Sequence, residues 1–371
     1  MDLKMTLRKE YFGNLLYNPV DWSLKIISDA DAERIKKEMR GKIISFENPR
    51  EKILSAPLKV FIAVSSRCNL GCRHCLFSKK RGPVEELSLD ELSKIFKVLG
   101  AMGVLELRIG GFEVTVREDF QVIFSEARKN NLVTSMNTNG VFDDSMRKKL
   151  ADSLIDRVHV SLDGLEKNND FLRGKGSFKE ALKTVKYLKE RGKYVRIAVC
   201  LFKENLEDIP GLLKISEELD CDIKFSPISP LGSAEKLQGI LSAEENEKLK
   251  KYFDGLKSNA NIFFNYGPVS LDFFDYCNLS DFDSTKCGSG RTQMRVENNG
   301  KVFIAGCGDI FLEEGAVGTS EDSFEEMWVI SQRKMSGLMK KKGAKCEGCT
   351  IDKAVLEWIK APTPAFNFYR K

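Results

Sequence analysis

From residue 58 to about residue 260, short apolar stretches rich in β-branched residues alternate with longer amphipathic ones. The short stretches have the length and composition of strands, and the longer ones have helical periodicity, several with an N-cap residue in front. The predicted strands are 58–65, 104–110, 132–137, 157–162, 194–201 and 221–227. The predicted helices are 88–102, 118–130, 143–153, 177–191, 206–219 and 242–258. This alternation is typical of βα units around a parallel sheet.

Six βα units are too few for a closed eight-stranded barrel, so the pattern predicts an α/β fold with a partial (βα)6 TIM-like barrel. In such barrels the chemistry lies at the C-terminal ends of the strands. The segments before and after the barrel do not show this alternation of strands and helices. The segment after it is rich in aromatic residues, Asp and Gly. We therefore predict an N-terminal extension (1–57), the barrel (58–260) and a small C-terminal α+β module (261–371).

The composition argues against several classes of protein. The chain has 371 residues, of which 42% are hydrophobic and 30% charged, as expected of a folded globular protein. Its 59 basic and 54 acidic residues give a net charge of only +5, and because the basic residues are dispersed, nucleic acid is not favoured as a partner. No apolar run approaches the roughly 20 residues that span a bilayer, and the N-terminus has no signal-peptide pattern. We expect a cytoplasmic protein without a membrane partner.

The chain contains ten cysteines but only two histidines. Because cytosolic thiols stay reduced, metal binding or catalysis is more plausible than disulfides. Cys68, Cys72 and Cys75 form a C-x3-C-x2-C motif directly after the first predicted strand. Three thiolates on one loop can hold a 4Fe-4S cluster with one iron open, whereas structural zinc normally takes a fourth protein ligand. The alternative is a zinc knuckle that a distant residue completes.

A second group of cysteines lies in the C-terminal module. It flanks a predicted β-hairpin at 294–303 with an Asn-Asn-Gly turn, and its members are Cys287, Cys307, Cys346 and Cys349. Four thiolates could hold either zinc or a fully ligated 4Fe-4S cluster, and the residues alone leave both open. Cys277 is interpreted as a spare thiol or an alternative ligand. Cys200 and Cys221 lie in predicted strands and are expected to be small core residues.

The three-cysteine loop and the segments at the ends of the next strands resemble the radical S-adenosylmethionine (SAM) superfamily. The sequence Gly-Phe-Glu-Val-Thr at 111–115 is similar to the family's Gly-Gly-Glu-Pro-Thr, with Phe and Val as departures. Asn-Thr-Asn-Gly at 137–140 resembles its Thr-Asn-Gly turn. The segments 159–164 and 171–174 supply the matching Ser and Arg. The resemblance covers residues 59–227.

The resemblance implies a residue for each part of SAM. Gly111, Glu113 and Asn137 would receive the methionine amino group, and Ser161 would contact the ribose or the carboxylate. The guanidinium of Arg173 would bind the carboxylate, for which its fork geometry is suited. His159 shares a strand face with Ser161, so it is a candidate proton carrier, with a packed barrel histidine as the alternative.

The resemblance also implies the chemistry. SAM would bind the open iron, and one electron from the reduced cluster would cleave it to methionine and a 5′-deoxyadenosyl radical. A flavodoxin or ferredoxin would supply the electron. The C-terminal module resembles the twitch domain, a shortened SPASM domain, in which the four cysteines of the second group hold one auxiliary 4Fe-4S cluster. An auxiliary cluster can accept the electron left after hydrogen abstraction, which favours net oxidation of the substrate.

Three functions remain open at this stage. The first is oxidative modification of a ribosomally made precursor peptide by cross-link, thioether or epimerisation. Residues 8–17 alternate around Gly13 and could form an exposed hairpin that receives a leader peptide by strand addition, or an ordinary strand pair. The second function is dehydrogenation of a sugar-like small molecule. The third, suggested by Phe112 and Val114, is a non-catalytic iron-sulfur or zinc scaffold.

Overall fold

The computed structural model describes residues 2–20, 22–50, 53–78, 85–228, 232–256, 262–264, 292–304 and 316–341. The N-terminal elements are β1 (Met5–Glu10), β2 (Gly13–Tyr17), β3 (Leu24–Ile27), α1 (Asp29–Glu38) and β4 (Ile43–Phe46). The next elements are β5 (Lys59–Ser65), α2 (Leu89–Met102), β6 (Glu106–Gly111), α3 (Phe120–Lys129), β7 (Val133–Thr138), α4 (Asp144–Asp152), β8 (Arg157–Ser161), α5 (Glu166–Arg173), α6 (Ser177–Lys189), β9 (Tyr194–Leu201), α7 (Ile209–Glu218), β10 (Asp222–Pro227), α8 (Ala243–Gly255) and β11 (Ile262–Phe264). The last are β12 (Gln293–Val296), β13 (Lys301–Ile304), β14 (Ala316–Thr319) and α9 (Phe324–Lys341).

The predicted partial barrel is confirmed. Its strands form one sheet in the order β11-β10-β9-β8-β7-β6-β5-β12-β13-β14, in which β11 to β12 are all parallel neighbours. The six predicted strands end within two residues of the observed ones. Helix α5 was not predicted, because its sequence is mostly polar and Leu165 in front of it offers no side-chain cap.

The N-terminal elements form a separate sheet in the order β3-β2-β1-β4. The strand pair of β1 and β2 is present, and of the two alternatives for it the structure has the ordinary packed pair, because both strands lie inside this sheet and are flanked by β3 and β4. Leu15 and Tyr17 pack into the main core, while Leu7 and Leu16 pack with Ala32 of α1. The hairpin strands already have neighbours on both sides, so an added strand would have to pair with β3 or β4.

Buried polar contacts fasten this N-terminal sheet to the barrel. The Arg8 guanidinium donates to the carbonyls of Pro57 and Gly103 at 3.3 and 2.9 Å, and its Nε donates to Glu10 at 2.6 Å. The ring of Trp22 lies 3.0 Å from the Arg157 guanidinium carbon, at the first residue of β8. The N-terminal unit therefore lies against the amino ends of the barrel strands, opposite the end where chemistry is expected.

The predicted hairpin at 294–303 is confirmed as β12 and β13, and β12 pairs in parallel with β5. Helix α9 packs beside it, where Trp328 is fully buried and donates to the Leu54 carbonyl at 2.7 Å. The main sheet thus continues past residue 260, and the three-part domain division stays a prediction. In the part of the chain that the structure describes, no helix is both long and apolar enough to cross a membrane.

Alternate residues of the barrel strands face different surroundings. One set is apolar and packs under the surrounding helices; it includes Val60, Leu107, Val158, Ile197 and Ile223. The residues between them face the inside of the curved sheet and are largely polar or charged. The barrel therefore has an apolar outer layer and a polar lumen.

Candidate active site at the carboxyl ends of the strands

The loop with Cys68, Cys72 and Cys75 follows β5 at the carboxyl end of the sheet, where the sequence predicts a site. Three neighbouring segments hold it by backbone and amide hydrogen bonds. Asn69 Nδ2 donates to the Val141 carbonyl at 2.7 Å after β7, and the Arg73 N–H donates to the Leu172 carbonyl at 2.8 Å in α5. The Cys75 carbonyl accepts from the Ser233 N–H at 3.0 Å. The loop is thus positioned by three segments that follow other strands.

The three thiols form no disulfide, are partly accessible and lie near one another. Burial raises the pKa of the Cys72 thiol, Arg173 opposes that shift, and the neighbouring thiols of Cys68 and Cys75 add to it. Iron binds thiolates in place of their protons, so a cluster would remove this mutual repulsion between the sulfurs. The Leu70 N–H also donates to Cys68 Sγ at 3.4 Å. The donor set therefore fits an iron-sulfur cluster held by three cysteines.

The Gly-Phe-Glu segment forms the turn that the resemblance requires, despite its two departures. The positive φ of +114° falls on Gly111, while Phe112 has none, and a Cβ on Gly111 would lie 2.6 Å from the Ser65 carbonyl oxygen. The Phe112 ring packs against Phe77 with centroids 5.9 Å apart. Glycine is thus needed at the first position, and an aromatic side chain is accommodated at the second.

Replacing Gly111 with Ala should destabilise the protein more than the same change at Gly174, which also has a φ of +114° but nothing within 4 Å of its Cβ position. Both variants carry backbone strain of about 1–3 kcal/mol, and only Gly111→Ala adds the contact with Ser65. The free energies of urea unfolding should therefore differ by roughly 2 kcal/mol or more. Equal losses would contradict this assignment of the clash.

The carboxylate of Glu113 is fully buried and connects the turn to the end of β7. It accepts from Thr115 Oγ1 at 2.8 Å, from Thr138 Oγ1 at 2.9 Å and from the Asn139 N–H at 2.8 Å. Burial raises the pKa of Glu113, and these hydrogen bonds only partly offset the increase. The side chain thus holds two loops in register, and its role toward a SAM amino group stays a prediction.

A buried group of polar side chains lies beside the cysteine loop. Asp163 Oδ2 accepts from Arg173 Nε at 2.6 Å and lies 3.1 Å from His74 Nε2, while Oδ1 accepts from the Cys200 N–H at 2.7 Å. Burial opposes ionisation of Asp163, but Arg173 and His74 outweigh it and hold the pKa of this carboxyl well below its usual range. Arg173 therefore lies next to Cys72, oriented by a carboxylate that the sequence analysis did not single out.

The upper rim of the lumen, directly below the loop, consists of small side chains. Its inward-facing members are Ala63, Gly110, Ser161, Ala198 and Ser226, and most are partly accessible. Asn137 lies at the same end and is exposed, with its Oδ1 accepting from Arg108 at 2.9 Å. The predicted residues 111, 113, 137, 161 and 173 are thus gathered at one end of the barrel.

His159 lies deeper in the lumen, 3% exposed, with its Nδ1 2.6 Å from the Arg108 guanidinium. Burial, followed by the positive charges of Arg108 and Arg196, lowers the pKa of His159 well below its usual value. It is therefore neutral at pH 7, which does not favour it as a proton donor; its predicted proton-transfer role stays untested.

Sequence reasoning missed the inward-facing charges, among them Arg108, Arg157 and Arg196. The signal was alternation of polar and apolar residues in strands such as β6, β8 and β10, which are flanked by helices. Strands buried on both faces normally read as continuous apolar runs, so alternation in βα units indicates a polar interior. The cysteines 277, 287, 307, 346 and 349 lie outside the described residues.

Comparisons with known proteins agree with this geometry. The radical SAM superfamily model matches residues 62–215. The chain is 27% identical over 293 residues to mycofactocin maturase MftC of Mycolicibacterium smegmatis, covering 76% of this chain and 72% of that protein. It is 29% identical over 263 residues to PqqA peptide cyclase of Bradyrhizobium diazoefficiens, covering 67% and 66%. Streptococcus suis SuiB bound to its precursor peptide SuiA has the same fold, with a TM-score of 0.68 at 19% identity over 88% of this chain and 87% of SuiB.

Fold, cysteine loop and family match together identify residues 62–215 as a radical SAM domain. The chain is an enzyme, and the family of this domain implies a 4Fe-4S cluster and SAM as cofactors. The alternative of a non-catalytic scaffold rested on Phe112 and Val114, and the turn that contains them is formed.

Proposed function

We propose that this chain is a radical SAM oxidoreductase that modifies a ribosomally made precursor peptide. The observation that carries the proposal is the three-cysteine loop placed over a polar lumen, in a chain similar to a maturase and to a peptide cyclase. Similarity to SuiB, a protein solved with its precursor peptide, supports the same substrate class. When bound, the reduced cluster supplies the electron that cleaves SAM to methionine and a 5′-deoxyadenosyl radical.

The chain's own residues have four tasks in this function. Cys68, Cys72 and Cys75 hold the cluster, while the buried Glu113 and Asp163 groups fix the loops on either side of it. The lumen walls exclude water from the reacting atoms, which protects a radical from side reactions. We further propose that SAM contacts Gly111, Glu113, Asn137, Ser161 and Arg173, because all five lie at the loop end of the barrel.

Two further parts of the proposal concern segments outside the barrel. Cys287, Cys307, Cys346 and Cys349 are proposed to hold an auxiliary 4Fe-4S cluster, which would accept the electron left after hydrogen abstraction and make the outcome oxidative. The N-terminal extension (1–57) is proposed to recognise the precursor's leader at β3 or β4, the two edges of its sheet. A flavodoxin or ferredoxin is proposed as the electron donor.

The proposed activity can be tested on anaerobically reconstituted protein. With dithionite and SAM we expect 5′-deoxyadenosine, measured by chromatography, and about eight irons per chain from two clusters. Absence of 5′-deoxyadenosine with intact clusters would contradict the enzymatic part. Zinc in place of half of the iron would contradict the auxiliary cluster.

The substrate class needs its own measurement. A short reading frame encoded beside this chain should be co-expressed with it and the peptide analysed by mass spectrometry. A peptide that loses two hydrogen atoms only with active enzyme supports oxidative peptide modification. Sugar-pathway genes as neighbours, together with an unmodified peptide, would favour the alternative, a dehydrogenase of a sugar-like small molecule.

A further inference from the structure

The chain between β5 and the first loop cysteine is bound to the Gly-Phe-Glu turn by backbone hydrogen bonds. The Phe112 N–H donates to the Ser65 carbonyl at 3.4 Å, and the Glu113 N–H donates to the Arg67 carbonyl at 3.0 Å. Cys68 follows directly. The entrance to the cysteine loop, residues 65–67, therefore lies against the turn that is proposed to receive SAM.

The same entrance is also held by the carboxylate of Glu86. Oε1 of Glu86 accepts from Ser65 Oγ at 2.9 Å, and from the N–H and the Oγ of Ser66 at 2.7 and 3.1 Å. Oε2 accepts from Arg67 Nη2 at 3.4 Å. Each of the three residues in front of Cys68 thus donates to the same side chain, which comes from the segment before α2.

Glu86 carries a negative charge at this position. Its side chain is 16% exposed, and burial opposes its ionisation. The donors on Ser66, Ser65 and Arg67 outweigh burial and lower the pKa of Glu86. Hydrogen bonds to an ionised acceptor are shorter and about twice as strong as neutral ones. The carboxylate therefore holds the loop entrance more firmly than a neutral side chain would.

The backbone next to Glu86 is fixed by contacts outside the cysteine loop. The Leu87 N–H donates to the Asn298 carbonyl at 2.8 Å, in the turn between β12 and β13. The Leu87 carbonyl accepts from Arg117 Nη1 at 2.9 Å, and the same nitrogen donates to the Val64 carbonyl at 2.8 Å. Glu86 therefore lies on an anchored segment, and its carboxylate is a fixed point of attachment for the loop.

We propose that Glu86 is a positioning residue for SAM: it fixes the distance between the cysteine loop and the Gly-Phe-Glu turn, so that one SAM molecule can reach both. The inference rests on the proposed function, in which SAM contacts Gly111 and Glu113. The three cysteines lie on one loop and move together, so a displaced entrance leaves the cluster bound. The turn has its own anchor, because Glu113 accepts from Thr138 and Asn139, and it does not follow the loop. A misplacement of about 1 Å can cost about a hundredfold in rate.

The SAM affinity of the anaerobic holoenzyme separates this role from a merely structural one. The cluster is reduced with dithionite, SAM is titrated, and electron paramagnetic resonance spectra are recorded on samples frozen before turnover. In Glu86→Ala we expect the iron content of wild type and a dissociation constant for SAM raised about tenfold, because charge-assisted hydrogen bonds at the loop entrance are lost. The KM for SAM in 5′-deoxyadenosine formation should rise with it. Glu86→Gln keeps an acceptor oxygen, so its dissociation constant should rise only about threefold.

Glu91→Ala is the matched control. Glu91 accepts from the N–H and the Oγ of Ser88 at 2.8 and 2.6 Å, as Glu86 does from Ser66, but these bonds cap α2. This variant should lose stability and keep the SAM affinity of wild type.

The inference is overturned if Glu86→Ala binds SAM as tightly as wild type, if its iron content falls together with its SAM cleavage, or if Glu91→Ala weakens SAM binding equally. If Glu86→Ala does not fold, Glu86→Gln decides, and an unchanged dissociation constant then overturns the inference. A wild-type holoenzyme that forms no 5′-deoxyadenosine contradicts the proposed function itself. An active wild type beside a Glu86→Ala variant of equal SAM affinity contradicts only the role of Glu86.

Discussion

Replacing any one of Cys68, Cys72 or Cys75 with Ala is expected to abolish formation of 5′-deoxyadenosine from SAM. Each thiolate holds one iron, and two remaining ligands on a loop do not retain a cubane cluster. If the auxiliary site holds its own cluster, iron should fall from about eight to about four atoms per chain. Chromatography of the nucleoside product and an iron assay on the anaerobic protein measure both effects.

Cys221→Ala is the matched control, since it makes the same chemical change at a buried thiol whose pKa is raised to about 12 by burial. That thiol lies in the core next to β10, so the variant should keep its iron and its SAM cleavage. Undiminished 5′-deoxyadenosine in any of the three loop variants, or its loss in Cys221→Ala, would contradict the assignment of the loop.

Asp163→Asn is expected to have the second largest effect. The change keeps the side-chain volume but leaves the Arg173 guanidinium buried without its carboxylate, which costs about 3 kcal/mol or more. SAM cleavage should fall as well, because Arg173 and His74 lose the group that orients them beside the cysteine loop. Urea unfolding and the 5′-deoxyadenosine assay give the two readouts.

The pH dependence of stability separates the charge of Asp163 from its shape. Its pKa is lowered in the folded state, so the ion pair contributes fully above the unfolded value of about 3.9 and is lost as the pH falls further. Wild type should lose this contribution at acid pH, whereas Asp163→Asn should lack it at every pH. Asp220→Asn is the control: this side chain is fully exposed and forms, among the described residues, an ion pair with Lys189, a contact worth about 0–1 kcal/mol. An Asp163→Asn protein as stable as this control would refute the buried-pair account.

The sequence predicts those features that local pattern determines. The six barrel strands and the hairpin of β12 and β13 follow from side-chain period and turn residues, and the cysteine loop follows from its spacing. The partner of β12 could not be predicted, because a parallel pairing between β5 and a strand more than 200 residues later leaves no local trace. The role of Asp163 could not be predicted either, because it depends on contacts with Arg173 of α5, Cys200 of β9 and His74 of the cysteine loop, which are distant in sequence.

Roles of individual polar residues were the hardest to predict. Glu113 was assigned to SAM from its motif, yet its carboxylate accepts hydrogen bonds from Thr115, Thr138 and Asn139. Arg108 and Arg196 drew no attention, because a charged residue in a strand is normally assigned to a solvent face. Only the curvature of the sheet turns that face into an interior.

The pairing of β12 with β5 has a consequence for how this protein can be divided. Strand β5 carries the chain into the cysteine loop, and its second hydrogen-bonding edge is covered by a strand from the C-terminal third. A protein ending at residue 260 would expose that edge, and exposed edges of parallel strands recruit other chains. Covering both edges of β5 therefore requires residues from both sides of position 260, and chain synthesis must proceed past residue 296 before the cysteine-bearing strand has both neighbours.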